Sequence, residues 1–107
     1  MSQYLLILCN CPDAQSAEKI TEALLSRQLV ACVNQLAPVQ SSYRWQGKIE
    51  HSTELQLQLK APKWNFNAIE QAITAIHPYD VPEIIALPLE QLNPAYANWI
   101  DEVTLRA

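Results

Sequence analysis

Cysteine, histidine and glutamate side chains from the two ends of the chain could together bind a transition metal. Cys9 and Cys11 stand two positions apart at the end of an apolar run, so they project to one side if both lie in a strand. His77 begins a proline-containing turn and Glu83 follows it. A thiolate, an imidazole and a carboxylate suit Cu²⁺ or Zn²⁺ and do not suit Ca²⁺ or Mg²⁺, and the usual affinity order favours copper. We take Cys9, His77 and Glu83 as the candidate metal ligands.

Structural roles are open to the same three residues. His77 can be a turn histidine, Glu83 can pair with a lysine, and Cys9 can be a small buried hydrophobe. A Cys–His pair is also the minimum for a thiol nucleophile with its base. The sequence marks neither a third group to orient the histidine nor an oxyanion hole, so we expect that the protein is not an enzyme.

The periodicity of the apolar residues predicts alternating strands and helices. A buried strand over 4–10 is followed by a helix that Asp13 caps and that ends near Arg27. Further strands are predicted over 30–39, 54–60 and 83–89, a second helix over 62–76, and a C-terminal helix that begins at Asn93-Pro94.

The element order βαββαβ plus a helix predicts a single domain over residues 1–107, an α+β ferredoxin-like sandwich with strand order 4-1-3-2. Pro38 and Pro88 fall in the second and fourth strands, which are the edges of this order, where proline is tolerated. The turn that carries His77 then lies beside the end of strand 1. Cys32 is separated from strand 1 by strand 3, so we expect a buried structural residue there.

Composition excludes several classes of function. Gly47 is the only glycine, which rules out glycine-rich phosphate loops and instead predicts a hairpin turn at Gln46-Gly47-Lys48. Seven Lys and Arg against eleven Asp and Glu give a net charge of −4 and no basic surface for nucleic acid. The early apolar run is too short for a membrane span or a signal peptide, so we expect no membrane partner and a cytoplasmic protein with reduced thiols.

One face of the predicted sheet lacks a cover. Strands 1 and 4 are apolar on both faces, whereas the sandwich places its two crossover helices on one face only. A second copy of the chain is the simplest cover for the other face. The alternative is that the C-terminal helix folds across it.

A longer series of residues runs through the chain in a distinctive order: Ala31-Cys32-Val33-Asn34, Ser41, Tyr43, Trp45, Gly47, Glu50, Glu54, Lys60, His77-Pro78-Tyr79, Pro82-Glu83, Tyr96 and Trp99. The series closely resembles the CutA divalent-cation-tolerance family over nearly the whole chain. The resemblance implies a ferredoxin-like fold related in shape to the PII signalling proteins. It also implies a tight homotrimer with a long hairpin that reaches across subunits, and a cytoplasmic role in tolerance to divalent metals, copper above all.

The resemblance also bears on the site. The cysteine and histidine implicated in copper-binding members correspond to Cys9 and His77, and Glu83 matches the glutamate after the second proline. Ile76 stands where some members have a second histidine, which removes one donor. The likeness to PII proteins implies an alternative function, a sensor that binds a small anionic ligand in a cleft between subunits, with Arg44, Lys48 or Lys60 nearby.

Overall fold

A computed structural model describes residues 3–107 of the chain. The elements in chain order are β1 (Tyr4–Cys11), α1 (Ala14–Ser26), β2 (Cys32–Gln35), β3 (Val39–Trp45), β4 (Lys48–Pro62), a 3₁₀ turn (Lys63–Asn65), α2 (Phe66–Ile76), β5 (Ile85–Pro88) and α3 (Pro94–Val103). The predicted α+β class, with a sheet and helices, is confirmed.

The strands pair antiparallel in the order β2-β4-β1-β5, and β3 pairs with the other end of β4. The second half of β4 therefore lies inside the sheet, while its first half forms a hairpin with β3 from Val39↔Glu54 to Trp45↔Lys48. This hairpin extends past the other strands, and the molecule is elongated, measuring 45 × 26 × 23 Å.

The expectation of one continuous second strand over 30–39 is wrong. The chain leaves the sheet after Gln35, the N–H of Leu36 makes a last bond to Gln56 at 2.9 Å, and β3 begins only at Val39. Pro38 lies in the break, because a residue without an N–H cannot continue the ladder. The third strand is correspondingly longer than its predicted 54–60, since it also carries the hairpin.

A hairpin turn and a helix cap form where the local sequence predicts them. Gln46 and Gly47 have φ angles of 51° and 78°, the pair of positive values that a tight two-residue hairpin turn needs. The carboxylate of Asp13 accepts the N–H of Ser16 at 2.8 Å and caps α1 as predicted. Asn93 precedes Pro94 at the start of α3 but makes no capping bond with its side chain.

The C-terminus of α1 uses a left-handed residue other than glycine. Gln28 has a φ of 54°, and its N–H bonds to the carbonyl of Leu25 while that of Leu29 bonds to Leu24, both at 3.0 Å. These two bonds form the Schellman motif, in which glycine is the usual residue at the position of Gln28.

The core lies between one face of the sheet and the helices α1 and α2. Ile7, Cys9 and Cys11 of β1 face this side and are fully buried. The helices contribute apolar residues at helical spacing, namely Ala17, Ile20, Leu24, Ile69, Ala72 and Ile73. The alternate residues of β1, including Asn10, face the opposite side of the sheet.

Helix α3 contacts one end of that opposite face. Tyr4 donates from its hydroxyl to Asp101 at 2.9 Å, and the ammonium of Lys60 lies 5.9 Å from the centre of the Tyr96 ring. The helix leaves Ile85 and Leu87 of β5 with 50% and 46% of their surface exposed. The C-terminal helix thus covers the second face only in part. No helix among residues 3–107 is long and apolar enough to cross a membrane.

Candidate metal site and the adjoining cleft

Cys9, Cys11 and His77 form a compact buried group on the helix-facing side of the sheet. Their ligand atoms all lie within 4.8 Å of one another, and no other group of three such residues is found among residues 3–107. The alternation of β1 places both thiols on one face. His77 is held at the end of α2, where its N–H bonds to the carbonyl of Ile73 at 2.8 Å.

The structure brings together two of the three predicted ligands and adds Cys11, which is expected on the same face as Cys9 but is not one of the predicted ligands. Cys9 and His77 are neighbours as expected, and Cys11 joins them. Glu83 is not a member of the group: its side chain is exposed and lines a cleft beside the site, although its charge helps to raise the pKa of Cys9. Cys32 lies outside the group as expected, but it is half-buried.

Both ring nitrogens of His77 already have partners. The N–H of Tyr79 lies 3.1 Å from Nδ1, and the carbonyl of Asn10 lies 2.8 Å from Nε2. Because an amide N–H can only donate and a carbonyl can only accept, the ring carries its proton on Nε2. Nε2 could bind a metal only after losing that proton, and Nδ1 would then need a proton where the Tyr79 N–H now points. The imidazole therefore fits a metal only after the turn rearranges.

The two thiols interact with each other. A hydrogen bond to Cys11 raises the pKa of Cys9 far above its ordinary value, with burial as the second cause. The same bond is the main cause that lowers the pKa of Cys11. Cys9 therefore keeps its proton, and its Sγ lies 4.0 Å from the carbonyl of Asn10. A thiol in this state is a poor nucleophile, whereas a pair of adjacent sulfurs is a suitable donor set for a soft metal ion.

His77, Asn10, Glu54 and Tyr79 form a closed ring of hydrogen bonds. His77 donates to the Asn10 carbonyl, and the Asn10 amide donates to Glu54 Oε1 at 3.3 Å. Tyr79 donates from its hydroxyl to Glu54 Oε2 at 2.6 Å and from its backbone to His77. The ring fastens the turn after α2 to both β1 and β4.

Glu54 is the functional candidate that sequence reasoning missed. It is only 6% exposed. Burial raises its pKa, but hydrogen bonds from Ser41, Tyr79 and Asn10 outweigh burial and hold the pKa below its ordinary value. In the sequence, Glu54 stands at the start of an alternating strand, where a carboxylate is typical of a solvent-facing position.

A cleft of about 670 Å³ opens on the other side of this ring. Three carboxylates and three aromatic rings line it, from Glu54, Asp80, Glu83, Tyr43, Trp45 and Tyr79. No lysine or arginine is among its lining residues. Lys60, one of the cations expected beside an anionic ligand, instead donates to Asn34 at 3.1 Å. The cleft within one subunit therefore has the charge of a site for cations.

Comparison with known proteins gives a consistent result. Residues 5–103 match the family model described as CutA1 divalent ion tolerance protein. The chain is 39% identical over 94 residues to Protein CutA of Mus musculus, covering 88% of this chain and 53% of that protein. It thus spans little more than half of that relative. It is 38% identical over 99 residues to the divalent-cation tolerance protein CutA of Thermus thermophilus, covering 92% of this chain and 96% of that one.

Solved structures with the same fold are also similar in sequence. One is described as the periplasmic divalent cation tolerance protein CutA from Archaeoglobus fulgidus. It superposes with a TM-score of 0.91 at 35% identity, covering 94% of this chain and 97% of that one.

Proposed function

The chain belongs to the CutA1 divalent ion tolerance family, and from that premise we propose that it binds a divalent metal ion and serves in tolerance of such ions. The ion that we propose first is Cu²⁺, held by Cys9 and His77 with Glu83 as an oxygen donor from the cleft. The observation that carries the proposal is the buried cluster at the end of β1, whose sulfur and nitrogen atoms lie within 4.8 Å of one another. This donor set suits late transition metals.

The proposal includes a rearrangement of the turn after α2. His77 becomes a ligand only when its bonds to Asn10 and Tyr79 open. Tyr79 belongs to the same turn as Glu83, so movement of this turn is the step that would bring the carboxylate of Glu83 toward the thiols. The closed ring of hydrogen bonds opposes this movement. The free energy needed to open the ring therefore reduces the net affinity for the metal.

We propose that three copies assemble as a homotrimer of ferredoxin-like subunits with the shape of PII proteins. The order β2-β4-β1-β5, with α1 and α2 on one face, supports this architecture. Ile85 and Leu87 remain exposed on the face that α3 does not cover. The extended hairpin carries further exposed apolar side chains at Tyr43, Trp45 and Ile49, which are available to contact a neighbouring subunit.

We also propose a cytoplasmic location and a role without catalysis. The three cysteines are free, as metal-binding thiols must be, and a reducing compartment keeps them so. Two features argue against Cys9 as a nucleophile with His77 as its base. The pKa of Cys9 is raised, and both ring nitrogens of His77 are occupied by hydrogen bonds.

The test is calorimetric titration of the reduced protein with Zn²⁺ and with Cu²⁺. We expect saturable binding that Cys9→Ser weakens at least about 10-fold, since loss of a ligand costs at least as much as loss of a hydrogen-bond partner of a ligand, while light scattering shows an unchanged assembly. Cys32→Ser is the matched control, because Cys32 lies outside the site. Absence of saturable binding in the unmodified protein would contradict the proposal.

The cleft supports a second candidate, a sensor for a small molecule. Its volume of about 670 Å³ falls in the range of small-molecule sites. Its carboxylates and aromatic rings favour an organic cation over the anionic ligand that the resemblance to PII proteins suggests. A thermal-shift screen distinguishes an organic cation from an anion as the ligand, since a ligand of the native state raises the melting temperature. We expect amines to raise it and nucleotides to have no effect.

A further inference from the structure

We infer that Cys11 is a ligand of the metal site and that its thiolate, paired with that of Cys9, makes the site selective for thiophilic divalent cations such as Zn²⁺ and Cd²⁺ over Mg²⁺ and Mn²⁺. This inference rests on the proposed function and deepens it, because it names the class of ion. The carrying observation is the juxtaposition of two fully buried sulfurs two residues apart on one face of β1.

The separation of the sulfurs is close to what one ion requires. A tetrahedral ion with metal–sulfur bonds of about 2.3 Å holds two sulfurs roughly 3.8 Å apart. The two thiols already lie within 4.8 Å of each other and within the same distance of a ring nitrogen of His77.

The other candidate donors must rearrange before they can bind an ion. His77 must first lose its hydrogen bonds to Asn10 and Tyr79. Glu83 lies outside the cluster, with its side chain exposed in the cleft. The first two bonds to an incoming ion therefore come from sulfur. Thiolate ligands favour soft and borderline cations, whereas carboxylates and water favour Mg²⁺ and Mn²⁺.

Binding at the pair is an exchange of protons for the metal. Each thiol that is protonated before binding gives its proton to the solvent as its sulfur–metal bond forms. The ion keeps its oxidation state, and no electron leaves either sulfur. Zn²⁺ and Cd²⁺ are therefore suitable probes, because neither oxidises a thiolate.

The experiment is a titration of the full chain with Cd²⁺, followed by the ultraviolet charge-transfer absorption of cadmium–thiolate bonds. We expect Cys11→Ala to lose about half of the absorption per bound ion and to bind at least about 10-fold more weakly. The matched control Cys32→Ala should behave as the unmodified protein does, because Cys32 lies outside the group. A large excess of Mg²⁺ should not displace Cd²⁺.

Each contrary outcome points to a different failure. Unchanged absorption and affinity in Cys11→Ala would overturn the inference while the proposed function stands, as would binding that only Glu83→Gln removes. No binding of Cd²⁺ or Zn²⁺ by the unmodified protein would overturn both. Cys11→Ser is the second variant should Cys11→Ala fail to fold, and it should show the same loss of absorption, because a hydroxyl is a poor substitute for a thiolate.

Discussion

The hydroxyl of Tyr79 lies 2.6 Å from Oε2 of Glu54, and the backbone N–H of the same tyrosine holds Nδ1 of His77. One residue therefore bonds both to the carboxylate in the cleft and to the imidazole beside the thiols. Because Asn10 completes the connection from the other side of β1, the two sites are coupled through a single ring of hydrogen bonds. Occupation of one site should change the geometry of the other.

Tyr79→Phe tests the energetic weight of this bond. The substitution leaves Glu54 buried with one donor fewer, and a hydrogen bond to a charged group is worth about 1.5–3 kcal/mol. We expect the free energy of unfolding at pH 7 to fall by an amount in that range, measured by urea denaturation. Tyr43→Phe is the control: its hydroxyl accepts from Ser52 at an exposed site, so a change below about 0.5 kcal/mol is expected. If both variants lose the same free energy of unfolding, the hydrogen bond to Glu54 contributes no more to stability than an exposed one.

Glu54 and Glu83 should affect the pH dependence of stability in opposite directions. The folded pKa of Glu54 is lowered, so its contribution is present above the ordinary pKa of about 4.5 and is lost as the pH falls through the folded pKa. Burial, and then the charge of Glu54, raises the pKa of Glu83, so ionised Glu83 opposes folding at neutral pH.

The measurement is the free energy of unfolding between pH 7 and pH 3. Glu54→Gln should lower stability at pH 7 and flatten its decline in acid. Glu83→Gln should not destabilise the protein at pH 7 and should make the acid decline steeper, because it removes the stability gained when Glu83 is protonated. If the stability of the two variants depends on pH in the same way, the opposite pKa shifts of Glu54 and Glu83 are contradicted.

Gln28→Gly should stabilise the fold. Gln28 holds a left-handed conformation that costs an L residue about 1 kcal/mol and costs glycine almost nothing. Its side chain makes only a long contact of 3.4 Å to Val103. We expect a gain of about 0.5–1 kcal/mol in urea denaturation. The control Glu22→Gly, at an exposed position within α1, should lose about 1 kcal/mol.

Leu87→Lys tests the proposed assembly. Leu87 is 46% exposed on β5, and a charge there would be buried without a partner in a subunit contact. We expect light scattering to report a shift from the trimer toward a particle of 12.1 kDa. Leu25→Lys, at a leucine 42% exposed on the outer side of α1, should leave the mass unchanged. If the trimer persists in Leu87→Lys, this face is not part of the interface between subunits.

Local signals in the sequence predicted those features that depend on neighbouring residues. Asp13 caps α1, Gln46-Gly47 turns the hairpin, and the period of 3.6 locates α2. The approach of Cys9 to His77 was also predictable, because antiparallel pairing places the turn before the last strand beside the end of the first. That argument concerns only which elements are neighbours.

The rest of the site depends on contacts that no local pattern records. Glu54 is buried because the turn carrying Tyr79 folds over it from 25 residues away. Glu83 was predicted to be a ligand because the last strand begins beside the end of the first and because it matches the glutamate of the family, but its exposed side chain lies in the cleft, outside the group. Cys11 was recognised as sharing a face with Cys9, and only the packing against His77 shows that the two thiols form one group.

The alternation along β1 has a consequence for variation in length. Cys9 and Cys11 lie on one face and Asn10 on the other, so deleting one residue between Tyr4 and Ile7 would invert the side chains on one side of the deletion relative to their neighbouring strands. Either the residues before the deletion change faces, or the thiols turn toward the cleft and Asn10 turns toward the helices. A two-residue deletion keeps every remaining side chain on its face, a parity rule that can be tested with engineered one-residue and two-residue deletions.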